Sequence, residues 1–171
     1  MRLAVYCDGR VVVTAPASLN ISFIEKFIEE KKNWLTKKLH YVRSIDKGAV
    51  RTFSKKDYLA YKDNALRLVR ERASHFNRML GFSYNKINIK NQKTRWGSCS
   101  QKKNLNLNYK VLFLPEAQRD YIIVHELCHL KECNHSRNFW QLVETVLPDY
   151  PNIKKELRKQ EIYFIDLSRL A

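Results

Sequence analysis

The string His-Glu-Leu-Cys-His at residues 125–129 has residue types and a spacing that could do chemistry. On a helix, His125 and His129 would share one face about one turn apart, because residues i and i+4 lie above one another. Two imidazoles at that spacing can bind one metal ion, and the carboxylate of Glu126 can reach a water activated by the ion and act as general base. The string therefore predicts a metal-dependent hydrolytic centre on a buried helix.

A catalytic zinc ion keeps three protein ligands and one open position, so this prediction requires a third ligand. We expect it to be His135, six residues after His129 and beyond a helix end near Cys133-Asn134, where Asn134 can adopt the left-handed conformation that turns the chain back. Glu132 is one alternative, although three ligands on one straight helix rarely converge on a tetrahedral ion. Glu144, on the following helix, is the other alternative.

The cysteines are not expected to bind this metal. The chain has four, Cys7, Cys99, Cys128 and Cys133, and none of them forms a Cys-x-x-Cys pair. Helix geometry would rotate Cys128 away from both histidines by about 60° or more. Without paired cysteines or an export signal near the N-terminus, we expect free thiols and a cytoplasmic location.

A second motif, Thr-Arg-Trp-Gly-Ser-Cys-Ser at residues 94–100, precedes the histidine string. Gly97 in a strand-like pattern permits a bulge or the close approach of another backbone, and an edge strand beside a metal-binding helix could hold an extended peptide. Arg95 could bind an anionic group or stabilise a developing oxyanion. The spacing alone is equally consistent with a structural role, in which Trp96 packs in the core and Arg95 forms an ion pair on the surface. We predict that Arg95, Trp96, Gly97 and Ser98 contact the substrate.

Three further features surround these motifs. Phe139 and Trp140 are expected in the core, where they would fix the next helix against the metal-binding helix. Arg137 is expected to be solvated. Tyr109 is a minor candidate for a donor to the transition state.

The elements that must position these groups follow from turn signals and hydrophobic spacing. A hairpin around Asp8-Gly9 opens the chain, a helix over 21–40 begins at a cap on Asn20 or Ser22, and a linker covers 43–56. Beyond the linker we predict a helix over 57–80 that ends at Gly81. Strands are predicted next, over 84–90, 94–100, 105–109 and 111–114, with a hairpin turn at 101–104. Three helices follow, one that begins at 115 and runs through 130, one over 137–147 and one over 153–164 that is capped by Asn152. The prediction is an α+β chain with domains at 1–45 and 57–171.

The chain is strongly basic, and its charge is unevenly distributed along the sequence. The chain of 171 residues has 32 Lys and Arg against 17 Asp and Glu, a formal net charge of +15. The excess concentrates in 31–56 and 72–115, whereas 116–151 is mildly acidic. Such a distribution suits either a solvated basic face or attraction of a polyanion. No apolar run approaches the ~18 residues of a membrane helix, so no membrane span is expected.

Several of these motifs together resemble the YgjP-like metallopeptidase family of bacterial metal-dependent hydrolases. The family's pattern joins an RWGSC element, HELCH, a third histidine six residues on and a following Phe-Trp pair. The matching pieces here are 95–99, 121–129, His135 and 139–140. The N-terminal hairpin and the lysine-rich helix with Trp34 also look like the family's usual start, so the resemblance covers nearly the whole chain.

The resemblance implies a zincin-like fold, with a small twisted antiparallel or mixed sheet packed on the active-site helix and an N-terminal hairpin-helix extension. It implies zinc bound by His125, His129 and His135, with Glu126 as base. More distantly, the chain resembles the SprT and WLM proteases that act on proteins attached to DNA. Fold alone does not determine function.

Three functions remain open from the sequence. The first is a zinc peptidase acting on a peptide or protein; imidazole ligands also accept nickel, cobalt or manganese. The second is a metal-dependent nucleoside triphosphate pyrophosphohydrolase, motivated by the basic residues of 72–115. The third is a nucleic-acid-associated protease or binding module, motivated by the lysine-rich residues 31–56 with Trp34 and Tyr41 for stacking. The sequence predicts no cofactor besides the metal and no particular oligomeric state.

Overall fold

The computed structural model describes residues 1–5, 10–43 and 53–160. The chain divides into two compact units; described residues up to 43 belong to the first, and residues 53–160 belong to the second. The predicted domain bounds of 1–45 and 57–171 stay a prediction. Among the described residues, no helix is long and apolar enough to cross a membrane.

Some sequence predictions lie outside the described residues. These are the Asp8-Gly9 turn, most of the predicted linker (44–52) and the end of the last predicted helix (161–164).

The first unit consists of a hairpin and two helices. Strands β1 (Arg2–Val5) and β2 (Val11–Thr14) pair antiparallel. Helices α1 (Ile21–Glu30) and α2 (Lys32–Arg43) follow, where one helix over 21–40 was predicted. The predicted cap is confirmed, because the Asn20 side chain accepts a hydrogen bond from the Ser22 amide. The helix divides at Lys31, whose N–H donates to two carbonyls of the preceding turn and so tightens it toward 3-10 geometry.

The second unit begins with a long helix, α3 (Lys55–Leu80), which starts two residues before the predicted Asp57. A capping box explains that start: the Asp57 amide donates to the Ser54 hydroxyl, and the Ser54 amide donates to the Asp57 carboxylate. The helix ends at Gly81 in the left-handed conformation (φ 66°), as predicted. Its buried stripe consists of Ala65, Val69, Ala73 and Phe76.

The second unit also contains a three-stranded mixed sheet. Strand β3 (Lys86–Lys90) pairs parallel to β5 (Asn104–Asn108), and β4 (Gly97–Cys99) pairs antiparallel to β5. The order β3-β5-β4 makes β4 an edge strand among the described residues. The predicted hairpin turn over 101–104 is confirmed, with Lys103 at φ 55°. The strand predicted over 111–114 is wrong: a 3-10 helix covers Tyr109–Phe113.

The reason for that 3-10 helix is local. The Asn108 side chain accepts a hydrogen bond from the Lys110 amide, so it caps a helical turn where the apolar run alone suggested a strand.

Three helices complete the unit: α4 (Glu116–Cys128), α5 (Arg137–Val146) and α6 (Tyr150–Gln160). Helix α6 begins before the predicted cap Asn152, because the Asp149 carbonyl accepts from the amides of Asn152 and Ile153. Helix α4 is buried on most sides and its core side chains are Tyr121, Ile122, Ile123, Val124, Leu127 and Cys128. The predicted α+β class is confirmed.

Helix α4 is also tied to α3 by a buried ion pair. The Arg72 guanidinium makes a bidentate contact with the Asp120 carboxylate, with Nε 2.7 Å from Oδ1 and Nη2 bonded to Oδ2. Because Asp120 is buried, this pair fixes the two helices at one point of contact.

Candidate metal centre and flanking clefts

Three histidines converge at the C-terminal end of α4. His125 lies in the last turn of the helix, His129 is its C-cap residue, and His135 lies in the loop before α5. The Nε2 atoms of His125 and His135 are 3.0 Å apart, and the His129 ring centroid is 4.8 Å from each of the other two rings. One potential ligand atom from each of the three lies within 4.8 Å of the others. The structure therefore brings together the three histidines that the sequence predicted as metal ligands.

The turn that brings His135 back differs from the prediction. Helix α4 ends at Cys128, whereas the sequence predicted a helix end near Cys133-Asn134. Among described residues other than glycine, only Lys103 has a positive φ, so Asn134 is not left-handed. Hydrogen bonds turn the chain instead: the Asn134 side chain accepts from the Ser136 amide at 3.2 Å. Such a side-chain turn needs no unusual backbone conformation.

The alternative third ligands do not join the cluster. Glu132 contributes its backbone carbonyl, which lies 2.9 Å from His129 Nδ1. That carbonyl can only accept, so Nδ1–H donates and Nε2 is the ring nitrogen of His129 that is left to bind a metal. Glu144 is exposed on α5 and lies outside the group. Cys128 is buried, which raises the pKa of its thiol to about 12, and it is not part of the group either.

Aromatic rings hold the three imidazoles in place. The Phe139 ring is fully buried and its centroid is 4.9, 4.5 and 4.8 Å from those of His125, His129 and His135. Trp140 stacks on His135, with centroids 5.5 Å apart and planes 21° apart. The prediction that these aromatic residues pack α5 against α4 agrees with these contacts. Arg137, the first residue of α5, is exposed as expected.

The lowered pKa values of His125 and His135 favour the binding of a metal cation by these two residues. Burial, followed by the neighbouring histidines, lowers the pKa of His125 to about 3, and burial also lowers the pKa of His135. Neutral imidazoles can bind a metal, whereas protonated ones cannot. Two nitrogens that bind one tetrahedral zinc ion with Zn–N bonds of about 2.05 Å are about 3.3 Å apart. This separation lies between the 3.0 Å from His125 Nε2 to His135 Nε2 and the 4.8 Å within which all three ligand atoms lie. The residues present therefore fit a divalent ion such as zinc.

Glu126 lies next to this cluster with its carboxylate buried. The residue is 5% exposed, and its Oε2 atom has no hydrogen-bond partner among the described residues. Burial raises the pKa of Glu126 to about 8, while the positive charge of Arg95 acts in the opposite direction. The backbone of Gly97 makes room for this side chain, because a Cβ at position 97 would stand 2.6 Å from Glu126 Cγ and Oε1.

Two clefts meet at this centre. The first has a volume of about 430 Å³, and the second about 310 Å³. Both are bordered by Gly97, His125 and Glu126. The first is otherwise lined by Ser98, Cys99, Ser100, Gln101, His129, Cys133 and His135, and the second by Thr94, Arg95, Trp96, Tyr121, Ile122, Lys154, Leu157 and Arg158.

The predicted substrate-contacting residues all border a cleft. Arg95 and Trp96 line the second, Ser98 lines the first, and Gly97 lies between the two. Tyr109 does not reach either lining. It is fully buried, with its ring 5.5–6.3 Å from those of Phe53, Tyr58 and Phe113.

Sequence reasoning missed three residues near the site. Asn108 is buried, and its side-chain amide donates to the carbonyls of Gln92 (2.7 Å) and Arg95 (3.1 Å), which holds the segment leading into β4. The repeated Asn-Leu alternation of β5 was the available signal. Lys154 and Arg158 of α6 line the second cleft; their i, i+4 spacing around the buried Leu157 was a weak signal, because solvated helix faces share it.

A mixed α+β unit with three imidazoles and a buried carboxylate at one helix end is an arrangement typical of metal-dependent hydrolases. The chain belongs to the YgjP-like family: the sequence profile described as YgjP-like, metallopeptidase domain, matches residues 1–71 and 55–160. It is therefore a metal-dependent peptidase by family.

Solved structures agree with this assignment. The metallopeptidase zymogen abylysin of Pyrococcus abyssi is 28% identical, with a TM-score of 0.51, over 57% of this chain and 98% of that one. The metallopeptidase zymogen jannalysin of Methanocaldococcus jannaschii is 27% identical, with a TM-score of 0.50, over 55% of this chain and 97% of that one. No curated protein sequence matches the chain.

Proposed function

We propose that this chain is a zincin-like, zinc-dependent peptidase in which His125, His129 and His135 hold the ion and Glu126 is the general base. The observation that carries the proposal is the convergence of three imidazoles beside a buried carboxylate. Three imidazoles with an open fourth position are a donor set typical of catalytic zinc, although nickel, cobalt and manganese also accept imidazole.

The chain's own groups perform the proton transfers in this mechanism. When bound, the ion supplies Lewis-acid polarisation of an attacking water and of the peptide carbonyl. The Glu126 carboxylate takes a proton from that water and returns it to the nitrogen of the leaving amine. Gly97 leaves the space in which the Glu126 side chain lies. The Glu132 carbonyl orients the His129 ring through Nδ1.

The substrate binds along β4. This strand pairs only with β5 among the described residues, so its other edge can offer backbone N–H and C=O groups to an extended peptide. Gly97 and Ser98 lie on this edge strand beside both clefts. A peptide added here therefore passes directly over Glu126 and the histidines.

The test combines metal content with peptide cleavage. We expect about one zinc per chain in the wild type by mass spectrometry, most of it lost in His135→Ala and retained in His75→Ala, whose histidine lies on the exposed face of α3. Glu126→Gln should keep the metal and lose cleavage of a mixed peptide library by about 100-fold or more. Full cleavage by metal-loaded Glu126→Gln would refute the assigned base, and unchanged metal in His135→Ala would refute the third ligand.

The nucleotide hypothesis has one observation in its favour, the basic lining of the second cleft by Arg95, Lys154 and Arg158. A triphosphate would place its phosphates there. The same metal-loaded protein tests this hypothesis, because a triphosphatase would release phosphate or pyrophosphate in a Glu126-dependent manner. The nucleic-acid hypothesis rests on the charge of 31–56 and stays a prediction.

A further inference from the structure

We propose that the second cleft is a subsite for an acidic side chain of the substrate, next to the scissile bond, with Arg95, Lys154 and Arg158 as the groups that bind its carboxylate. The proposal rests on the proposed peptidase function and adds to it a substrate class. It predicts a peptidase selective for Asp or Glu on one side of the cleaved bond.

The first observation is an excess of cations over carboxylates in this cleft. Arg95, Lys154 and Arg158 all line the cleft, and Glu126 is the only carboxylate in the lining. The side chains of Arg95 and Arg158 make no hydrogen bond or ion pair with any described residue, although the charge of Arg95 is near enough to Glu126 to act on its pKa. Lys154 places its Nζ 3.9 Å from the centroid of the Trp140 ring, which leaves its positive charge without an anionic partner among the described residues.

Some other basic residues of the same unit have carboxylate partners. Arg72 binds Asp120, and Lys159 binds Glu156 one turn away on α6. Lys154 and Arg158 instead repel each other: burial and then the charge of Arg158 lower the pKa of Lys154. Three cations with a single carboxylate among them leave an excess of positive charge, and an incoming anion relieves the repulsion that this excess causes. This arrangement therefore favours an anionic ligand.

The second observation is the position of the cleft along the path of the substrate. Residues 94–101 run from the second cleft, across Gly97, into the first. A peptide extended along this segment with its scissile bond over Glu126 must place one side of that bond in each cleft. The first cleft has no Lys or Arg in its lining; Ser98, Cys99, Ser100 and Gln101 contribute small or neutral side chains. Acid selectivity should therefore appear on one side of the bond only.

A carboxylate suits these groups better than an uncharged side chain. Arg guanidinium groups bind carboxylates with two parallel hydrogen bonds, and the Lys154 ammonium adds a point charge. Exposed Arg95 and Arg158 at the rim allow a side chain to enter, whereas the half-buried Lys154 lies deeper. Phosphate groups would also fit such a cluster, and the test separates the two.

The test uses matched peptides and a matched pair of variants. Zinc-loaded wild type is assayed on peptides that carry Glu or Gln at each position on both sides of the bond. We expect kcat/KM to favour Glu by about tenfold at one or two positions on one side, and by less than about twofold on the other. Arg158→Gln should reduce the preference to about threefold. Lys155→Gln, which loses the same charge from an exposed position on α6 outside the cleft, should retain it.

Binding supplies a readout that does not require turnover. In the Glu126→Gln background, a fluorescent Glu peptide should bind more tightly than its Gln counterpart, as measured by anisotropy, and the difference should shrink as salt rises. Adding Arg158→Gln should reduce that difference, whereas adding Lys155→Gln should not.

The outcomes are distinguishable. Cleavage with no preference for Glu, an equal preference on both sides, or an equal loss in Arg158→Gln and Lys155→Gln would overturn the subsite while leaving the peptidase intact. No cleavage of any peptide by zinc-loaded wild type would overturn the peptidase and the subsite together. Turnover of nucleoside triphosphates without peptide cleavage would assign the cations to phosphate groups.

Discussion

Gly97 and Glu126 occupy complementary space: a Cβ at position 97 would stand 2.6 Å from Cγ and Oε1 of the glutamate. Real Cβ atoms do not approach other heavy atoms so closely, so the absence of a side chain at Gly97 is a condition for the position of the Glu126 carboxylate. Gly97 also begins the edge strand β4, along which we place the substrate. One residue thus connects the substrate-binding edge to the proposed base.

We therefore expect Gly97→Ala to act on catalysis rather than on metal binding. The added methyl group must displace the Glu126 carboxylate, and a displacement of about 1 Å can cost about 100-fold in rate. The expected result is a fall in kcat of about 10- to 100-fold with zinc content unchanged. Gly81→Ala is the matched control, because Gly81 has φ 66° and open space around it, so the substitution should cost about 1 kcal/mol of stability without lowering kcat. Equal kcat in Gly97→Ala and wild type would contradict this role.

The ion pair between Arg72 and Asp120 should contribute strongly to stability. Arg72→Met leaves the Asp120 carboxylate buried without its bidentate partner, and we expect a loss of about 2–4 kcal/mol in the free energy of unfolding. Lys159→Met removes an exposed pair with Glu156 and should cost less than about 0.5 kcal/mol. Chemical denaturation of both variants checks this difference, and a loss below about 1 kcal/mol in Arg72→Met would contradict it.

Trp140 should support metal affinity without binding the ion. Its ring stacks on His135 and is in turn stacked on Tyr150, with planes 10° apart, so the exposed histidine is held from one side. Trp140→Leu removes that support, and we expect the zinc dissociation constant to rise about 10-fold. Competition with a chromophoric chelator measures the constant. Trp34→Leu, at an exposed tryptophan of the first unit, is the control and should leave it unchanged.

The metal centre was predictable because its residues are close in sequence. His125, Glu126 and His129 occupy one helical turn, and His135 follows after a short loop, so few chain paths are possible between them. The mechanism of the turn was not predictable: Asn134 accepts a hydrogen bond from Ser136 instead of adopting a left-handed backbone. Both conformations are common for asparagine, and the local sequence does not distinguish them.

The basic cleft was not predictable, for a different reason. Arg95 precedes β4 and Arg158 belongs to α6, so their proximity depends on how the sheet and the helices pack. A lysine and an arginine four residues apart on a helix are also typical of a solvated face. Residues 111–114 do not form the predicted strand, because Asn108 caps a 3-10 helix that begins at the next residue. This capping outweighs the β propensity of the apolar residues in 111–114.

Removal of the metal should destabilise the second unit. An ion that binds only the folded state adds about 2.7 kcal/mol of stability when its free concentration is 100 times its dissociation constant. The three imidazoles come together only in the folded chain, because His135 is held by Trp140 and His129 by the Glu132 carbonyl. We expect excess chelator to lower the unfolding temperature of the wild type by roughly 5–10 °C in scanning calorimetry. His135→Ala should begin at the lower temperature and change little on chelation. If chelator lowered the unfolding temperature of both proteins equally, it would act at a site other than the histidine cluster. That result would contradict the prediction that a metal bound by these histidines stabilises the unit.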